Sequence, residues 1–378
     1  QRQMCIRDSS CGRKVMANFT VNNISVVGMA VVVPENKLER DDFVKQFGED
    51  VTTKFIKSTG IKCIHRAVPK QTASDLAYEA ANKLLNNIDV EKNKIGMLVF
   101  VTQSPDYRRP ATACVLQKRL ELSVNCAALD VGLGCSGFIY GQQVLTSMLQ
   151  NSQSEYGLLL LGETASKLVN PNDKSIAMMY GDAGAAILYK KNNGSIIKTS
   201  LYTDGYRFKS IILPAGGFRD MDASHEEYLC SDNIRRTKYD IYMDGVSVFT
   251  FSTSDVPKSI LEYFEETNTT ADSYDHILLH QANQFIIKQI SRRIGAAQEQ
   301  VLISLDRYGN TGGISIPLTI CDAFGDDNDM EKKNVLAAGF GIGLSWGITS
   351  FEIDPKNILP VLETDSYYKD GIINPSEY

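Results

Sequence analysis

Three short apolar runs occur twice in this chain, in the same order and at a nearly constant spacing. Gln103 ends one run and His280 ends its counterpart 177 positions later, while Asp130 and Asp306 stand 176 positions apart. The matched segments are residues 98–103 with 275–280, 129–130 with 305–306, and 157–162 with 334–339. A repeat of this length indicates two halves that share one topology.

The apolar runs do not alternate with polar residues, which is typical of strands covered on both faces. Predicted strands include residues 95–101, 158–161, 185–188 and 335–338. Predicted helices include residues 74–85 after Thr72, 111–120 after Pro110, 137–149 and 283–294. Because strands and helices alternate through both halves, the sequence predicts an α/β chain with two related sheets.

The same pattern divides the chain into four parts. Residues 1–18 show no hydrophobic periodicity, and Met16 among them is a candidate for the true start of the protein. We interpret these residues as an extraneous or disordered leader. Residues 19–195 and 196–355 are the predicted N-terminal and C-terminal halves, and residues 202–240 are an irregular excursion expected to line a substrate entrance. Residues 356–378 are expected to form a C-terminal extension that is packed loosely on the body or mobile.

Charge and cysteine usage exclude several classes of function. The net charge is −6 and the pI is about 5.4, which argues against a nucleic-acid partner. No apolar run approaches the roughly 20 residues that span a bilayer, so no membrane partner is expected. The eight cysteines contain no CxxC pair and no metal-ligand spacing, which predicts no metal site and indicates a reducing, cytoplasmic location.

Cys135 lies in a glycine-rich turn between an apolar run and a helical pattern. A thiol at a helix N-terminus is close to free backbone N–H groups and to the positive end of the helix dipole, which favour the thiolate. Glycines at 132, 134 and 137 allow a tight turn and a close approach to the sulfur. The alternative is a buried and inert cysteine, as most free cysteines are.

His280 and Asn310 stand at two further exits from apolar runs. His280 follows residues 277–279, and Asn310 follows a strand-like run expected at residues 301–305. Either residue alone is more often structural than functional. Together with Cys135 they provide a sulfur, an imidazole and a carboxamide at three strand exits, which indicates a thiol nucleophile with groups that assist its chemistry.

These three motifs resemble the signatures of the β-ketoacyl-[acyl-carrier-protein] synthase III family. They read Asp-Val-Gly-Leu-Gly-Cys-Ser-Gly-Phe from Asp130, Leu-Leu-His-Gln-Ala-Asn from Leu278, and Gly-Asn-Thr-Gly-Gly-Ile-Ser-Ile-Pro from Gly309. The glycine-rich segment 339–347, the segment 180–186 and the segment 58–61 resemble other parts of the family pattern. The resemblance runs from about Ile24 to Glu352.

The resemblance implies a thiolase-like duplicated fold, a five-layer αβαβα arrangement with two stacked mixed sheets, working as a homodimer. It implies that Cys135 is the nucleophile, that His280 and Asn310 complete a triad, and that the backbone N–H groups of Cys135 and Ile342 form an oxyanion hole. Ile342 stands where the family usually has glycine, which would strain the backbone if φ were positive.

The activity implied by the resemblance is a decarboxylative Claisen condensation, the type of reaction that starts fatty-acid biosynthesis. An acyl group held on Cys135 would be joined to malonyl-acyl-carrier-protein with loss of carbon dioxide. The implied partners are an acyl carrier protein and a coenzyme A thioester, and no metal or redox cofactor is required.

Several positions depart from the family pattern where coenzyme A and the carrier bind. Lys54 and Ser58 replace the usual tryptophan and arginine, and Phe285 replaces another arginine. Candidate replacement cations for carrier or coenzyme A binding are Lys174, Lys288 and Arg292, the last two one helical turn apart. An ordinary solvated helix face is the alternative interpretation.

Arg108 and Arg109 fall on a loop that in the family reaches across the dimer to the partner's acyl pocket. Two charges there would favour a short or polar acyl group, and the alternative is that both side chains point to solvent.

Two other functions stay open at this point. An acyltransferase of the same fold would pass the acyl group from Cys135 to an oxygen or nitrogen nucleophile without loss of carbon dioxide, in secondary-metabolite or surface-glycan biosynthesis. The glycines of residues 132–137 also loosely resemble a dinucleotide-binding turn. A nucleotide-binding protein would leave His280 and Asn310 unexplained.

Overall fold

Two long antiparallel strands, β1 (Ala17–Pro34) and β7 (Ala183–Thr203), extend through both halves of the molecule. The computed structural model describes residues 16–230, 232–326, 331–374 and 376. The other strands are β2 (Lys37–Glu39), β3 (Cys63–His65), β4 (Ile95–Val101), β5 (Ala127–Val131), β6 (Tyr156–Glu163), β8 (Ile211–Ile212), β9 (Tyr228–Leu229), β10 (Arg235–Arg236), β11 (Tyr242–Met243), β12 (His276–Leu279), β13 (Lys333–Gly341), β14 (Ser345–Ile353) and β15 (Leu362–Thr364). The helices are α1 (Arg40–Phe47), α2 (Glu49–Thr59), α3 (Ala73–Asn87), α4 (Thr112–Arg119), α5 (Gly137–Gln150), α6 (Gly245–Thr267), α7 (Gln284–Ile294), α8 (Leu305–Tyr308) and α9 (Ser315–Phe324).

Hydrogen bonds join nine strands into one mixed sheet. Seven strands follow the order β12-β13-β14-β7-β6-β4-β5, with β1 beside β7 and β15 beside β1. Residues 183–190 of β7 pair with β6, whereas residues 198–203 pair with β14. The predicted boundary at 195/196 therefore lies inside β7, which passes from one half to the other.

Side-chain packing separates the strands of the two halves into layers. Helices α5 and α9 lie between them, in a cluster with inward-facing residues of both halves such as Val99 and Ala337. Helices α3 and α4 cover the other face of the N-terminal strands, next to Leu98, and α6 and α7 cover the other face of the C-terminal strands, next to Leu336. The layer order is helix, sheet, helix, sheet, helix, which confirms the thiolase-like α/β fold.

Local sequence signals explain where the main helices begin. Thr72 and Asp75 form a capping box at the start of α3, and the Asn283 side chain accepts the Phe285 N–H at the start of α7. The predictions for residues 74–85 and 283–294 are therefore confirmed to within two residues, and the strand expected at residues 95–101 matches β4.

The strand expected at residues 301–305 is wrong. Val301 forms a single bridge with Ile277, and Leu305 already begins α8. The physical reason is a side chain from another loop. Gln281 Oε1 accepts the N–H groups of Ser304 and Leu305 at 3.1 and 3.3 Å, so these donors are not available to a neighbouring strand.

The C-terminal segment is not packed loosely as expected. Its strand β15 pairs in parallel with β1, and Gln71 donates to two of its carbonyl groups. The Tyr368 N–H donates to Asp75 at 2.9 Å, and the Tyr368 ring lies 4.5 Å from the guanidinium of Arg119. The Tyr368 ring of this segment therefore packs on a buried Arg119–Asp75 ion pair.

Other expectations concern the ends and the irregular region. Residues 1–15 of the expected leader lie outside the described residues, whereas Ala17 and Asn18 pair with β7. The irregular excursion expected at residues 202–240 begins with the last two residues of β7, and its described residues then form one 3-10 helix and the two-residue strands β8, β9 and β10. None of the helices among the described residues combines the length and apolar character needed to cross a bilayer.

Candidate active site

Cys135 lies in the turn between β5 and α5, where glycines of β13 enclose its sulfur. A Cβ atom at Gly341 would lie 2.7 Å from the Cys135 Sγ, and one at Gly339 would lie 3.0 Å from the Cys135 carbonyl oxygen. Because any side chain at Gly341 would collide with the thiol, β13 needs glycine there to come so close. The turn is also tied to β14 by a 2.7 Å hydrogen bond between the hydroxyl groups of Ser136 and Ser345.

The electrostatics of Cys135 differ from the sequence-based expectation. Burial raises the pKa of the Cys135 thiol to about 11, although the N–H groups of Ile342 and of Cys135 itself act in the opposite direction. Negative charge on Glu163 would raise this pKa further. The expected preference for thiolate is wrong, because removing a charge from water costs more than the end of a helix returns. Cys135 is therefore a neutral thiol at neutral pH.

Ile342 fits its position without backbone strain. The described non-glycine residues with positive φ are Asn23, Glu121, Asn233 and Asn268, so Ile342 has an ordinary φ. Its backbone N–H is hydrogen-bonded to the Cys135 thiol. The replacement of glycine by isoleucine thus leaves the backbone donor in place.

His280 follows β12 and is held from two sides. Its backbone N–H donates to Ala338 at 2.9 Å, and its Nδ1 lies 2.8 Å from the Ser315 hydroxyl oxygen. That oxygen accepts the N–H of Gln281, so the Ser315 proton is free to point to Nδ1, which leaves the proton of the neutral ring on Nε2. Burial lowers the pKa of His280 to about 4, opposed by a hydrogen bond with the Gly312 backbone. His280 is a neutral N–H donor at pH 7.

Asn310 is fixed by its own backbone and by the next turn. Its N–H donates to Met179 at 2.9 Å, and its carbonyl accepts from Gly181 at 3.1 Å. The side-chain Oδ1 accepts the Gly312 N–H at 3.0 Å, which turns the Nδ2 group the other way. With 5% of its surface exposed, Asn310 presents an oriented amide donor in a sheltered position.

Residues 339–341 of β13 connect the cysteine to the histidine. The two glycines of this segment lie against Cys135. Phe340, between them, meets the His280 ring edge-on with centroids 5.5 Å apart. Alternate residues of one strand therefore contact the thiol and the imidazole.

The turn after Asn310 makes the second connection. Gly312 bonds both the Asn310 side chain and the His280 ring. A Cβ atom at Gly313 would lie 2.7 Å from the carbonyl oxygen of Gly134, the residue before Cys135. The structure thus brings Cys135, His280 and Asn310 together around shared neighbours.

The candidate binding cations lie on the surface, away from this cluster. Lys174, Lys288 and Arg292 are exposed, the last two on α7, whose start is close to His280 in the chain. Phe285 on the same helix is 51% exposed and packs on Phe249 with centroids 5.9 Å apart.

Arg108 and Arg109 are exposed as well. Arg108 donates to the Gly216 carbonyl at 2.8 Å and lies 5.8 Å from the Phe218 ring. This arginine therefore fastens its loop to the irregular excursion of the same chain. The structure does not place either arginine in contact with Cys135.

Sequence reasoning missed one buried acid of the site. Glu163, at the end of β6, accepts the Gln103 N–H at 2.8 Å and the Ser104 hydroxyl at 3.0 Å. Burial raises the pKa of Glu163 to about 8. The sequence carries a signal for Glu163, because this residue follows an apolar run as His280 does. Residues 157–162 predict a strand, and that prediction assigns no role to the acid that follows it. Within the described part of the chain, no three metal-ligating side chains are grouped.

Both halves of the chain match models of a known protein family. Residues 129–205 match the family model described as 3-Oxoacyl-[acyl-carrier-protein (ACP)] synthase III, and residues 264–353 match the model for the C terminal of the same synthase. The β-ketoacyl-[acyl-carrier-protein] synthase III of Caldanaerobacter subterraneus is 33% identical over 85% of this chain and 95% of its own length. The enzyme of that name from Clostridioides difficile is 32% identical over 85% of this chain and 96% of its own length.

A solved structure of a synthase with the same type of name also matches this chain. The crystal structure of a 3-oxoacyl-(acyl-carrier protein) synthase from Burkholderia xenovorans superimposes with a TM-score of 0.87 and 32% identity, covering 92% of this chain and 99% of that one. These matches span both halves and all three motifs. The chain belongs to the β-ketoacyl-[acyl-carrier-protein] synthase III family.

Proposed function

We propose that this protein catalyses the decarboxylative condensation of malonyl-acyl-carrier-protein with an acyl group held on Cys135. The observation that carries this proposal is the meeting of a thiol with two neutral N–H donors, His280 and Asn310, around the glycines of β13 and of the turn after Asn310. The names of the relatives support the same reaction class.

In the first half-reaction, the Cys135 sulfur attacks the carbonyl carbon of an acyl thioester. The developing oxyanion is stabilised by the backbone N–H groups of Cys135 and Ile342. The C–S bond of the substrate then breaks, and the leaving thiolate takes up the proton that Cys135 loses. The free thiol has its pKa raised to about 11, so this proton leaves only as the sulfur attacks.

In the second half-reaction, malonyl thioester replaces the departed thiol. Its terminal C–C bond breaks, carbon dioxide leaves, and the electron pair moves towards the thioester oxygen as an enolate. His280 Nε2–H and Asn310 Nδ2–H donate to that oxygen. A neutral imidazole suits this role because its pKa, lowered to about 4, keeps it from gaining a second proton at pH 7.

The enolate carbon then attacks the acyl-Cys135 carbonyl. The new C–C bond forms, the bond to sulfur breaks, and the Cys135 thiolate takes up a proton from solvent water to return to the resting thiol. Every step uses side chains and backbone donors of the chain, and none uses a metal or a redox cofactor.

We assign carrier and coenzyme A contacts to the exposed cations Lys288 and Arg292, with Lys174 as a further candidate. The first two lie one turn apart on α7, so that their charges face the same side. An acidic carrier protein or the phosphates of coenzyme A would be attracted there. The loop of Arg108 and Arg109 is assigned to the acyl pocket across a dimer.

A homodimer fits the unpaired edge of the large sheet. Strand β5 ends the strand order and pairs only with β4 among the described strands. Its residues are exposed or half-buried, and a free edge of this kind is a template for another strand. We assign this edge to a second copy of the chain.

We assign the protein to the cytoplasm, because its described cysteines are scattered along the chain and form no disulfides.

The test follows carbon dioxide and the acyl group in one experiment. The protein is incubated with a panel of acyl thioesters, and intact-mass spectrometry identifies the acyl group on Cys135. Malonyl thioester labelled in its free carboxylate is then added. The proposal expects one labelled carbon dioxide released for each β-ketoacyl product. Acyl transfer to an alcohol or amine without release of carbon dioxide would replace it with the acyltransferase function.

A further inference from the structure

We propose that Glu163 is a positioning residue of the active site, which holds the cysteine turn and the asparagine turn in register through its buried side chain. This inference rests on the proposed function for its meaning, but its geometry is independent of the reaction. The proposed half-reactions do not use Glu163, although it is 6% exposed and adjoins both turns.

The first contact is made through the backbone after β4. Glu163 Oε1 accepts the Gln103 N–H, and Glu163 Oε2 accepts the Ser104 hydroxyl proton. The Ser104 oxygen also accepts the N–H of Thr164 at 3.0 Å, so its single proton is free for the carboxyl group. This bond holds the Gln103 backbone, and the Gln103 side chain lies against Gly134, where a Cβ atom would be 2.4 Å from Gln103 Oε1. Glu163 therefore limits where the residue before Cys135 can move.

The second contact is made through Gly312. A Cβ atom built at Gly312 would lie 3.4 Å from Glu163 Cγ, so the Glu163 side chain lies directly beside this glycine. Gly312 is the donor to Asn310 Oδ1 and the backbone partner of His280. The 3-10 turn that starts at Gly312 packs on both β6 and α5. The Glu163 side chain thus lies between the support of the nucleophile and the support of the two donors.

The charge state of Glu163 matters to the thiol. The titratable neighbours on the packed elements are Cys135 after β5, His280 after β12, and Asp182 at the start of β7, which is itself near Arg66. Burial raises the pKa of Glu163 to about 8, so the carboxyl is largely protonated at pH 7 and ionised at pH 9.5. Once ionised, it opposes the formation of thiolate at Cys135.

The experiment compares Glu163→Gln, Glu163→Ala and a matched control. Glutamine copies the shape and neutrality of the protonated carboxyl, whereas alanine removes both contacts. The control is Asp106→Asn, which changes a half-buried acid with a raised pKa whose carboxyl group accepts the Ser74 hydroxyl proton and lies outside the active site. The readouts are condensation kinetics at pH 7 and the rate of iodoacetamide labelling of the Cys135 peptide at pH 7 and pH 9.5.

Glu163→Gln is expected to keep kcat within about threefold of the wild type at pH 7, and Glu163→Ala to lose about tenfold or more in kcat with little change in KM, since orientation is what is lost. Relative to the wild type, Glu163→Gln labels Cys135 equally fast at pH 7 but about two- to tenfold faster at pH 9.5, the range expected for a shift of up to one pKa unit. Asp106→Asn gives the same ratio at both pH values.

Equal labelling ratios for Glu163→Gln at both pH values would overturn the proposal, as would equal kcat losses in both Glu163 variants. If Glu163→Ala does not fold, the labelling profile of Glu163→Gln decides alone. Labelling does not require condensation, so a wild-type protein that released no carbon dioxide would refute the proposed function and still leave the role of Glu163 to be judged.

Discussion

The ends of matching strands in the two halves carry different residues. Gln103 and His280 stand 177 positions apart, after β4 and β12, and Glu163 and Phe340 are separated by the same spacing in β6 and β13. In the first half the pair is joined by a carboxyl-to-backbone hydrogen bond that supports the cysteine turn. In the second half the pair is an aromatic contact that leaves a neutral imidazole available.

The difference teaches that a duplicated fold supplies two equivalent edges and can use them unequally. One edge holds the nucleophile in place, and the other presents donors to the substrate. The third strand shows the same asymmetry, since β5 is a full strand while residues 301–304 form only one bridge. The shorter element leaves room for the turn that carries Asn310.

The largest expected effect is the loss of condensation, with decarboxylation retained, when the nucleophile of the N-terminal half is removed. Cys135→Ala should lower condensation by at least about 10³-fold, because no other group can hold the acyl chain. Decarboxylation of malonyl thioester, measured as release of labelled carbon dioxide, should continue, because both donors belong to the other half. Normal condensation by Cys135→Ala would show that the nucleophile is misassigned.

The reverse pattern is expected for the second half. His280→Ala and Asn310→Ala should each slow decarboxylation by about 10² to 10³-fold, as the loss of one oxyanion donor does in other enzymes. Acylation of Cys135, followed by intact mass, should change by less than about tenfold. Equal losses of rate in both half-reactions would mean that the N-terminal and C-terminal halves of the chain do not have separate catalytic roles.

Stability should depend on pH through His280. Its folded pKa is lowered to about 4, below the unfolded value near 6.5, so its contribution is complete above pH 6.5 and is lost as the pH falls to about 4. The free energy of unfolding of the wild type should therefore fall by about 3 kcal/mol more than that of His280→Gln over this range. Denaturant titrations at pH 7 and pH 4 measure this difference, and parallel curves for the two proteins would contradict it.

Close packing of β13 on the thiol gives a smaller effect. Gly341→Ala places a methyl group 2.7 Å from the present position of Cys135 Sγ and should slow iodoacetamide labelling of Cys135 by about tenfold to a hundredfold. Gly132→Ala is the matched control, because its Cβ atom would have no neighbour within 4 Å. If both variants react alike, β13 does not shape the nucleophile.

The smallest effect concerns the surface of α7. The double change Lys288→Glu and Arg292→Glu should raise KM for the carrier protein by several-fold, more at low salt, with kcat unchanged. The double change Lys83→Glu and Lys118→Glu, on α3 and α4 of the opposite outer layer, is the control for the same change in net charge. An equal rise in KM in the control would remove α7 from carrier binding.

The sequence predicted the parts of the fold that depend on local signals. Thr72 and Asn283 cap helices at the expected places, and the apolar run at residues 95–101 is a strand. The strand predicted at residues 301–305 does not form, because the Gln281 side chain from another loop accepts the backbone N–H groups of Ser304 and Leu305. The prediction that the C-terminal segment packs loosely is wrong for a similar reason. The buried Arg119 that contacts Tyr368 is distant in the chain, so the local sequence does not indicate this contact.

For the site, the residue types were predictable and their electrostatics were not. Motif position predicts Cys135, His280 and Asn310 as site residues, and the fold brings them together around shared neighbours. The thiol state depends on burial by segments more than 200 residues away, such as Gly341, and no local pattern encodes that. Sequence reasoning misses Glu163 because an acid at a strand end is usually solvated, whereas in the fold only 6% of Glu163 is exposed.

The most direct test is a crystal structure of acyl-Cys135 with a malonyl thioester analogue that cannot lose carbon dioxide. The account predicts that the thioester oxygen lies about 3 Å from both His280 Nε2 and Asn310 Nδ2, a normal hydrogen-bond distance, with the reacting carbon facing the acyl group. An oxygen bound by neither side chain, or an analogue seated away from Cys135, would contradict it.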